Sequence, residues 1–248
     1  MLAVHQLTYQ YPKSSTPVLD HVSFAVQQGE FVSLIGASGS GKSTIFRLIA
    51  GLAEPNAGSI QIGGVQEKNR LGKVALMPQK DLLLPWRTVL DNILLPAEIA
   101  GQPREEAVRQ AQEWIIRAGL SGYADAYPSQ LSGGMRQRVS FLRTIMTGAD
   151  VLLLDEPFGA LDTLTRQDMQ EWLLSIWEQL GKTVLFITHD IEEAVLVSDR
   201  VLVLRPGENC VEMPIQLRRP RTKELVFTPE FTAYRQQLTH MISGRKGK

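Results

Sequence analysis

The stretch that decides the fold is Gly36-Ala37-Ser38-Gly39-Ser40-Gly41-Lys42-Ser43-Thr44. It matches the pattern G-x-x-x-x-G-K-[ST] at every required position, and this pattern predicts a loop that holds a phosphate chain. Glycines let backbone N–H groups curl around phosphate oxygens. Lys42 can then reach the outer phosphates, and the Ser43 hydroxyl can hold Mg²⁺. The predicted nucleotide contacts are Gly36, Ser38, Gly39, Ser40, Gly41, Lys42, Ser43 and Thr44.

The loop lies between a predicted strand and a predicted helix. Residues 30–35 form a short, mostly apolar run, and residues 43–51 have the pattern of a helix that ends at Gly51. A helix that begins at a phosphate site directs its N-terminal dipole and its unpaired N–H groups at the anion. This context favours a functional loop over a chance run of glycine and serine.

The composition is that of an ordinary globular protein with balanced charge. Of the 248 residues, 44% are hydrophobic and 21% are charged, and 26 Lys and Arg residues balance 26 Asp and Glu residues. A neutral chain does not favour nucleic acid as a partner, whereas low net charge eases association with other subunits. Apolar runs fall short of the roughly 18–20 residues of a membrane span, and residues 1–5 lack a signal-peptide pattern. With a single cysteine, Cys210, and therefore no internal disulfide, we expect a cytosolic protein.

Two kinds of strand pattern predict an α/β fold. Residues 1–35 alternate apolar and polar side chains and, with residues 56–64, predict an N-terminal antiparallel β arm. Residues 151–154 and 184–187 are continuous apolar runs, which are typical of a parallel sheet covered on both faces. We therefore expect a core of the phosphate-loop NTPase type with a mostly parallel sheet and an antiparallel arm.

The remaining segments complete the predicted organisation. Helical spacing of apolar residues predicts an inserted α-helical subdomain. We expect a single domain over 1–248, with a nucleotide-binding core and β arm at 1–87 and 141–205, a helical subdomain at 88–140 and a C-terminal tail at 206–248. The basic runs 218–221 and 244–248 predict a solvated tail with at most one closing helix.

The apolar run at residues 151–154 ends in two adjacent carboxylates, Asp155 and Glu156. Neighbouring side chains at a strand end point in different directions, so one carboxylate can hold Mg²⁺ while the other faces water. Asp155 is the predicted Mg²⁺ partner, and Glu156 is predicted to polarise the attacking water. A strand end that carries two solvated acids is the alternative, and the upstream loop makes it the lesser one.

A second anion-binding turn is predicted at residues 131–138, Leu-Ser-Gly-Gly-Met-Arg-Gln-Arg. Ser132, Gly133 and Gly134 open a helix with a hydroxyl and unobstructed N–H groups. The turn has no lysine, so it cannot duplicate the first loop, and a hydrolase that holds one nucleotide has no evident need for it. Here the sequence resembles the ATP-binding cassette (ABC) family, whose signature is L-S-G-G-Q. Met135 departs from that pattern at its glutamine.

The resemblance covers nearly the whole chain and implies roles for further residues. Tyr11 lies where the family places an aromatic ring on adenine, with Tyr9 as a competing candidate. Gln79 matches the glutamine that senses Mg²⁺ and the attacking water, and His189 matches the histidine that contacts the γ-phosphate. Asp162 matches the loop that contacts the partner subunit.

The family implies a homodimer or a pair of ABC subunits arranged head to tail, with ATP and Mg²⁺ as cofactors. ATP bound by the Lys42 loop of one copy would be covered by Ser132 and Gly134 of the other. Lys42, the Mg²⁺ on Ser43 and His189 would stabilise the transition state, with Glu156 as the base. The nucleotide would thus bridge two chains, and its hydrolysis would remove the bridge.

Residues 82–93 and 155–162 resemble bacterial importer ATPases of the nitrate, sulfonate and taurine group. Within that group, residues 78–81 and 169–174 most resemble the hydroxymethylpyrimidine (thiamine-precursor) branch. The resemblance implies a peripheral subunit on the cytoplasmic face of the cell membrane. Integral permease subunits would dock beside Gln79, and an extracytoplasmic binding protein would be an indirect partner. Ordinary packing of the insertion on the core is the alternative for residues 82–93. An exporter ATPase and a non-transport ABC ATPase are the alternative functions.

Overall fold

Two β-sheets and the helices around them make up this computed structural model, which describes residues 1–12, 14–66, 68–205, 207 and 209–243. The strands are β1 (Leu2–Tyr9), β2 (Leu19–Val26), β3 (Phe31–Gly36), β4 (Ala57–Ile62), β5 (Val65–Gln66), β6 (Ala75–Met77), β7 (Val151–Asp155), β8 (Thr183–Ile187), β9 (Arg200–Leu204) and β10 (Val211–Pro214). The helices are α1 (Lys42–Ile49), α2 (Val89–Ile99), α3 (Arg104–Arg117), α4 (Gly133–Ile145), α5 (Thr163–Leu180), α6 (Ile191–Val197) and α7 (Pro229–Ser243), with 3₁₀ turns at Pro128–Gln130 and Lys223–Phe227.

The larger sheet has the strand order β10-β9-β3-β8-β7-β6, and only its edge strand β10 runs antiparallel to its neighbour. In β3, Phe31 and Ile35 face one hydrophobic core while Val32 and Leu34 face the other. Because successive side chains point to opposite faces, a strand covered on both sides must be apolar throughout. The predicted α/β class with a mostly parallel sheet is confirmed.

The smaller sheet is the predicted antiparallel arm, with the order β2-β1-β4-β5. Strands β4 and β5 are joined by Gly63 and Gly64, whose φ angles are 63° and 82°. A two-residue hairpin with positive φ at both positions suits glycine and matches the twist of the flanking strands. The arm packs over helix α1, so it covers the side of the main sheet on which the Lys42 loop lies.

Helices α2, α3 and α4 form the predicted helical insertion and pack against one another, with α4 also contacting β6. Helix α4 begins at Gly133 and continues to Ile145, so it crosses the expected boundary between residues 140 and 141. The division into subdomains therefore stays a prediction, and α4 is one continuous helix that runs from the predicted helical subdomain into the predicted core. Among the described helices, none combines the length and apolar character needed to span a bilayer.

The C-terminal segment is not the solvated tail that its basic residues predicted. Strand β10 extends the main sheet, and Arg221 is only 5% exposed. The Arg221 guanidinium donates to carbonyls at the end of α6, including Ser198 O at 2.5 Å. Arg219 donates to Asp199 at 2.8 Å and stacks over Trp177. The prediction of a solvated segment is wrong because carbonyls at a helix C-terminus bind cations.

One helix does close the chain, as expected. Helix α7 buries Phe231 and Leu238 completely, and its Arg235 donates to Glu192 of α6 at 2.6 Å. The second basic run, 244–248, lies outside the described residues. The C-terminal segment thus packs along α6, the helix that follows the His189 loop.

Candidate functional site

The carboxyl ends of four neighbouring parallel strands bring the predicted catalytic side chains to one edge of the main sheet. Strand β3 leads into the Lys42 loop, β7 ends at Asp155, β8 precedes His189 and β6 precedes Gln79. Ligands of open parallel sheets bind at this edge because the strand-to-helix loops all emerge there. A cavity of about 490 Å³ opens here, lined by the Lys42 loop, Glu156 and His189.

Glycine shapes the loop at two positions for different reasons. Gly41 has a φ of 97°, and a Cβ there would lie 2.6 Å from a methyl carbon of Leu19. Gly39 has a φ of 78°, and a Cβ there would meet nothing within 4 Å. Gly41 is therefore required by both conformation and packing, whereas Gly39 borders open space. The loop leaves room in front of its backbone N–H groups.

Helix α1 begins at the loop without a side-chain cap on its first N–H groups. These groups have no acceptors within the helix, so they are free for an anion. Lys42 Nζ lies inside the loop and donates to Gly36 O and Ala37 O, both at 3.0 Å. Burial lowers the pKa of Lys42, whereas the nearby Glu156 and then Asp155 raise it.

The residues present fit the phosphates of ATP. Among the described residues, the buried Ser40 hydroxyl finds no hydrogen-bond partner. A buried polar atom without a partner costs free energy, and a phosphate oxygen would satisfy it. Lys42, which now bonds only to carbonyls of its own loop, would gain an anionic acceptor. The loop is therefore built around a ligand that carries acceptor oxygens.

Ser43 and Asp155 form the predicted Mg²⁺ pair. Ser43 Oγ donates to Asp155 Oδ1 at 3.4 Å, across the gap between α1 and β7. Burial raises the pKa of Asp155, while the hydrogen bond from Ser43 lowers it. Hydroxyl and carboxylate oxygens are the ligand types that Mg²⁺ prefers, usually together with phosphate oxygens. The donor set thus fits a magnesium nucleotide.

Two predicted catalytic side chains, Gln79 and His189, converge on the carboxylate of a third, Glu156. Gln79 Nε2 donates to Glu156 Oε2 at 3.1 Å, and His189 Nδ1 lies 3.3 Å from the same oxygen. Glu156 has a φ of 46°, which residues with a Cβ rarely adopt. The Glu156 carboxylate thus lies between a residue that follows β6 and a residue that follows β8. In this arrangement Gln79 contacts Glu156, and its predicted contact with Mg²⁺ stays a prediction.

The aromatic candidates differ in position. Tyr11 lines the cavity, and its hydroxyl lies 3.0 Å from Thr44 Oγ1. Tyr9 packs edge-on against Tyr11 and belongs to the core of the β arm. The geometry therefore favours Tyr11 over Tyr9 as a wall of the cavity. Val18, which also lines it, belongs to no motif and could not be found from sequence.

The Ser132 turn lies outside the Lys42 cavity. It borders a separate groove that Gly133 and Gln79 help to line. Ser132 caps helix α4 by accepting from Met135 N at 3.2 Å. A Cβ on Gly134 would lie 2.6 Å from Thr165 Cγ2, so this glycine lets α4 approach α5 closely. Within one chain, the two predicted anion-binding turns do not meet.

Asp162 has a local role in the structure. Its carboxylate accepts from Thr165 N at 3.1 Å and caps helix α5. Hydrogen bonds from Thr165 lower the pKa of Asp162. Asp162 is not among the residues that line the Lys42 cavity. Its predicted contact with a partner subunit stays a prediction.

Sequence reasoning missed a cluster on helix α4. Arg136, Ser140 and Arg143 all bond to residues of the segment that follows Gln79. They are spaced at i, i+4 and i+7, so they lie on one face of the helix. Polar residues at this helical spacing were the available signal. The bonds go mostly to backbone carbonyls, which leave no trace in the sequence.

A phosphate loop, acids at the end of a parallel strand in the same sheet and a convergent glutamine and histidine define a nucleotide-binding ATPase core. This chain belongs to the ABC transporter family, whose sequence profile matches residues 19–159. ATP is therefore its nucleotide. The resemblance to importer ATPases and the predicted class of enzyme are confirmed by the relatives described next.

Two relatives and one solved structure carry the comparison. The chain is 46% identical over 223 residues to the formylaminopyrimidine import ATP-binding protein ThiZ of Halalkalibacterium halodurans, which covers 88% of this chain and 87% of ThiZ. It is 42% identical over 231 residues to the taurine import ATP-binding protein TauB of Rhizobium johnstonii, covering 90% and 88% of the two chains. The ATP-binding cassette MJ0796, a dimer in a post-hydrolysis state with ADP and Pi bound, is 31% identical with a TM-score of 0.76 over 88% of this chain and 100% of that one.

Proposed function

We propose that this chain is the ATP-hydrolysing subunit of an ABC importer for a small solute. The observation that carries the proposal is the meeting of the Lys42 loop, the Ser43–Asp155 pair and Glu156 at one cavity. Relatives named as import ATP-binding proteins for formylaminopyrimidine and for taurine support the direction of transport. The solute would then be of the nitrate, sulfonate, taurine or thiamine-precursor pyrimidine type.

Hydrolysis needs a water, a base and stabilisation of the negative charge that develops on the phosphates. Ser43 and Asp155 would hold Mg²⁺, which would supply neutralisation of the negative charge on the phosphates. Lys42 would bind the same phosphates. Glu156 would hold the proton of the attacking water, while Gln79 and His189 keep its carboxylate oriented.

The Ser132 turn would complete the site on a second subunit. It contributes nothing to the Lys42 cavity of its own chain, yet it presents a helix N-terminus and a hydroxyl. A head-to-tail homodimer, or a pair with another ABC subunit, would place this turn over the nucleotide of its partner. The dimeric state of MJ0796 supports this arrangement.

The permease would dock on the apolar surface that follows Gln79. Leu82 is 58% exposed and Trp86 is 71% exposed, although both are large and apolar. Exposed apolar clusters beside a functional site are typical of interaction surfaces. The chain would be peripheral on the cytoplasmic face of the membrane, with Mg²⁺-ATP inside the cell and an extracytoplasmic binding protein delivering the solute.

Glu156→Gln tests the hydrolytic assignment. We expect the variant to bind ATP with unchanged affinity and to lose about 10²–10⁴-fold in kcat, because an amide cannot take the proton. With ATP and Mg²⁺ it should accumulate as a closed dimer in size-exclusion chromatography. Glu178→Gln, an exposed residue of α5, is the matched control and should hydrolyse ATP normally. Vigorous turnover by Glu156→Gln would contradict the role of Glu156 as the base.

Reconstitution tests the transport assignment. The chain is copurified from membranes with its permease, and ATPase activity is measured with nitrate, sulfonates or pyrimidines and the cognate binding protein. Stimulation from the extracytoplasmic side supports import. Stimulation only by a solute on the cytoplasmic side would indicate an exporter.

A further inference from the structure

Helix α4 holds the segment that follows Gln79 through side-chain bonds to its backbone. Arg143 donates from both terminal nitrogens, with Nη2 at 2.6 Å from Asp81 O and Nη1 at 2.8 Å from Leu82 O. Ser140 Oγ donates to the same Asp81 carbonyl at 3.1 Å. A carbonyl oxygen has two lone pairs, so this acceptor is fully used by α4.

Arg136 adds a second link from the same face of the helix. Its Nε donates to the Asp81 carboxylate at 3.2 Å, and its Nη1 donates to Leu131 O at 2.8 Å. Leu131 directly precedes Ser132, which caps α4. Arg136 therefore connects the Asp81 side chain with the backbone just before α4.

The turn that α4 holds needs such support. Leu82 has a φ of 45°, in the left-handed region that residues with a Cβ rarely adopt. Its side chain is more than half exposed, so burial does not fix this conformation. Further along, the fully buried Asn92 of α2 donates to Thr88 O at 2.9 Å and accepts from Leu84 N at 2.8 Å. Residues 81–88 thus form hydrogen bonds with α4 at their start and with Asn92 of α2 at their end.

Gln79 lies between this segment and the catalytic carboxylate. Strand β6 ends at Met77, and Gln79 reaches Glu156 across a 3.1 Å hydrogen bond. The position of Asp81, two residues later, limits where the Gln79 side chain can go. We propose that Arg143 is a positioning residue that fixes the Asp81–Leu82 turn on α4 and thereby sets the approach of Gln79 to Glu156.

This role rests on the proposed ATPase function and predicts a specific chemical requirement. Arg143 spans two successive carbonyls with a planar fork of donors, and a lysine ammonium has no such fork. Arg143→Lys should therefore rescue only part of what Arg143→Ala loses. Arg138 is a matched control on the same helix, since it donates to Ala118 O at 2.8 Å and stacks on Trp172, away from the Gln79 segment.

The experiment compares Arg143→Ala, Arg143→Lys and Arg138→Ala in the full chain by steady-state ATP hydrolysis. We expect Arg143→Ala to lose about 10-fold in kcat with a KM for ATP within about 2-fold of the wild type, because misplacement of a catalytic group slows chemistry without weakening binding. The kcat of Arg143→Lys should lie between those of Arg143→Ala and the wild type. Arg138→Ala should keep wild-type kcat even where its thermal midpoint falls as far as that of Arg143→Ala.

Amide hydrogen exchange gives a readout that does not depend on activity. Residues 79–84 should exchange about 10-fold faster in Arg143→Ala than in the wild type, and at the wild-type rate in Arg138→Ala. If Arg143→Ala does not fold, Arg143→Lys and Ser140→Ala replace it, and each should show a smaller change in the same segment.

The outcomes separate this role from the ATPase assignment. Unchanged kcat and unchanged exchange in a folded Arg143→Ala, beside an active wild type, would overturn the positioning role alone. Equal loss of kcat in Arg143→Ala and Arg138→Ala would also overturn it, since any weakening of α4 would then suffice. A wild type that hydrolyses no ATP would overturn the proposed function and this role together.

Discussion

Two glycine-rich turns that each begin a helix have different chemistry in this chain. Helix α1 follows Gly41 with no side-chain cap and carries Lys42 in its first turn. Helix α4 follows Ser132, whose hydroxyl already accepts from Met135 N, and it has no lysine in its first turn. The first turn thus combines a lysine with uncapped N–H groups within one chain. The second has one N–H group bonded to its own serine and no lysine, and in the proposed dimer it would contact a nucleotide held by the partner subunit.

The glycines of the two turns also differ in purpose. Gly41 supplies a left-handed backbone conformation, which a phosphate loop needs in order to direct N–H groups inward. Gly134 lies in a regular helix and is required because Thr165 of α5 leaves no room for a Cβ. Gly133 has room, since a Cβ there would lie 3.6 Å from the nearest Leu161 atom. Glycine is therefore needed for backbone conformation at Gly41 and for close helix packing at Gly134.

The largest expected effect tests whether the two turns act on one nucleotide across a subunit boundary. Lys42→Ala removes the phosphate-binding charge and should lower kcat by about 10²–10³-fold. Gly133→Asp places a carboxylate at the Ser132 turn, where the structure has room for a Cβ, and should abolish hydrolysis by repelling phosphate. Mixing the two inactive variants should restore activity, because the mixed dimer contains one intact Lys42 loop opposite one intact Ser132 turn.

The control for this mixing experiment is a chain that carries both substitutions. Lys42→Ala mixed with the double variant contains no lysine in either loop, so its activity should stay at the level of the separate proteins. If mixtures of the two single variants also stay inactive, although each variant folds and dimers form, the turns do not share a nucleotide.

The sequence was sufficient to predict the nucleotide loop and the strands that carry it. Continuous apolar runs are required wherever a strand is covered on both faces, as at Val32 and Leu34, so buried parallel strands are visible in the sequence. The G-x-x-x-x-G-K-[ST] spacing predicted the Lys42 loop. The two acids at the end of β7 predicted that Asp155 lies beside Ser43. These features depend on residues that are close together in the chain, so the sequence alone indicates them.

Contacts to backbone atoms could not be predicted in the same way. Arg219 and Arg221 belong to a run of basic residues that predicted solvent exposure, yet carbonyls at the end of α6 bind Arg221. Arg143 likewise bonds to carbonyls of a distant segment. Every residue has a carbonyl, so no residue type identifies the acceptor. Such contacts are found only when the tertiary structure brings the two segments together.

The second prediction concerns the aromatic wall of the Lys42 cavity. Of the two candidate tyrosines, Tyr11 lines this cavity and Tyr9 does not. Tyr11→Ala should raise the KM for ATP about 5-fold with kcat unchanged, the lower end of what base stacking contributes, because the ring is partly exposed. Tyr11→Phe keeps the ring and loses only the contact with Thr44, so its KM should change by less than about 2-fold. Steady-state kinetics at varied ATP concentration measures both.

Tyr9→Phe is the matched control for the aromatic wall. Tyr9 packs behind Tyr11 in the β arm, so removal of its hydroxyl should leave the KM for ATP unchanged. A Tyr11→Ala variant with wild-type KM would exclude Tyr11 as the adenine contact. It would leave the phosphate loop as the main source of affinity.

The smallest expected effect is on stability, and its sign should differ between Ser132 in the second turn and Asp155 beside the first. Ser132→Ala removes the cap of α4 and should lower the free energy of unfolding by about 1 kcal/mol. Asp155→Asn removes a half-buried charge beside the Lys42 loop and should raise it by about 0.5 kcal/mol at pH 8. Urea denaturation of the nucleotide-free chain measures both differences.

The pH dependence identifies the cause of the second difference. Because burial raises the pKa of Asp155, the native state holds its proton more tightly than the unfolded chain does, whose value is near 3.8. The carboxylate therefore costs stability as pH rises through the window above 3.8, and the gain from Asp155→Asn should be full at pH 8 and fade toward pH 4. The Ser132→Ala loss should be independent of pH, since no titrating group forms that cap. A gain from Asp155→Asn that grows as pH falls would mean that Asp155 is stabilised as a carboxylate by its neighbours instead of being penalised by burial.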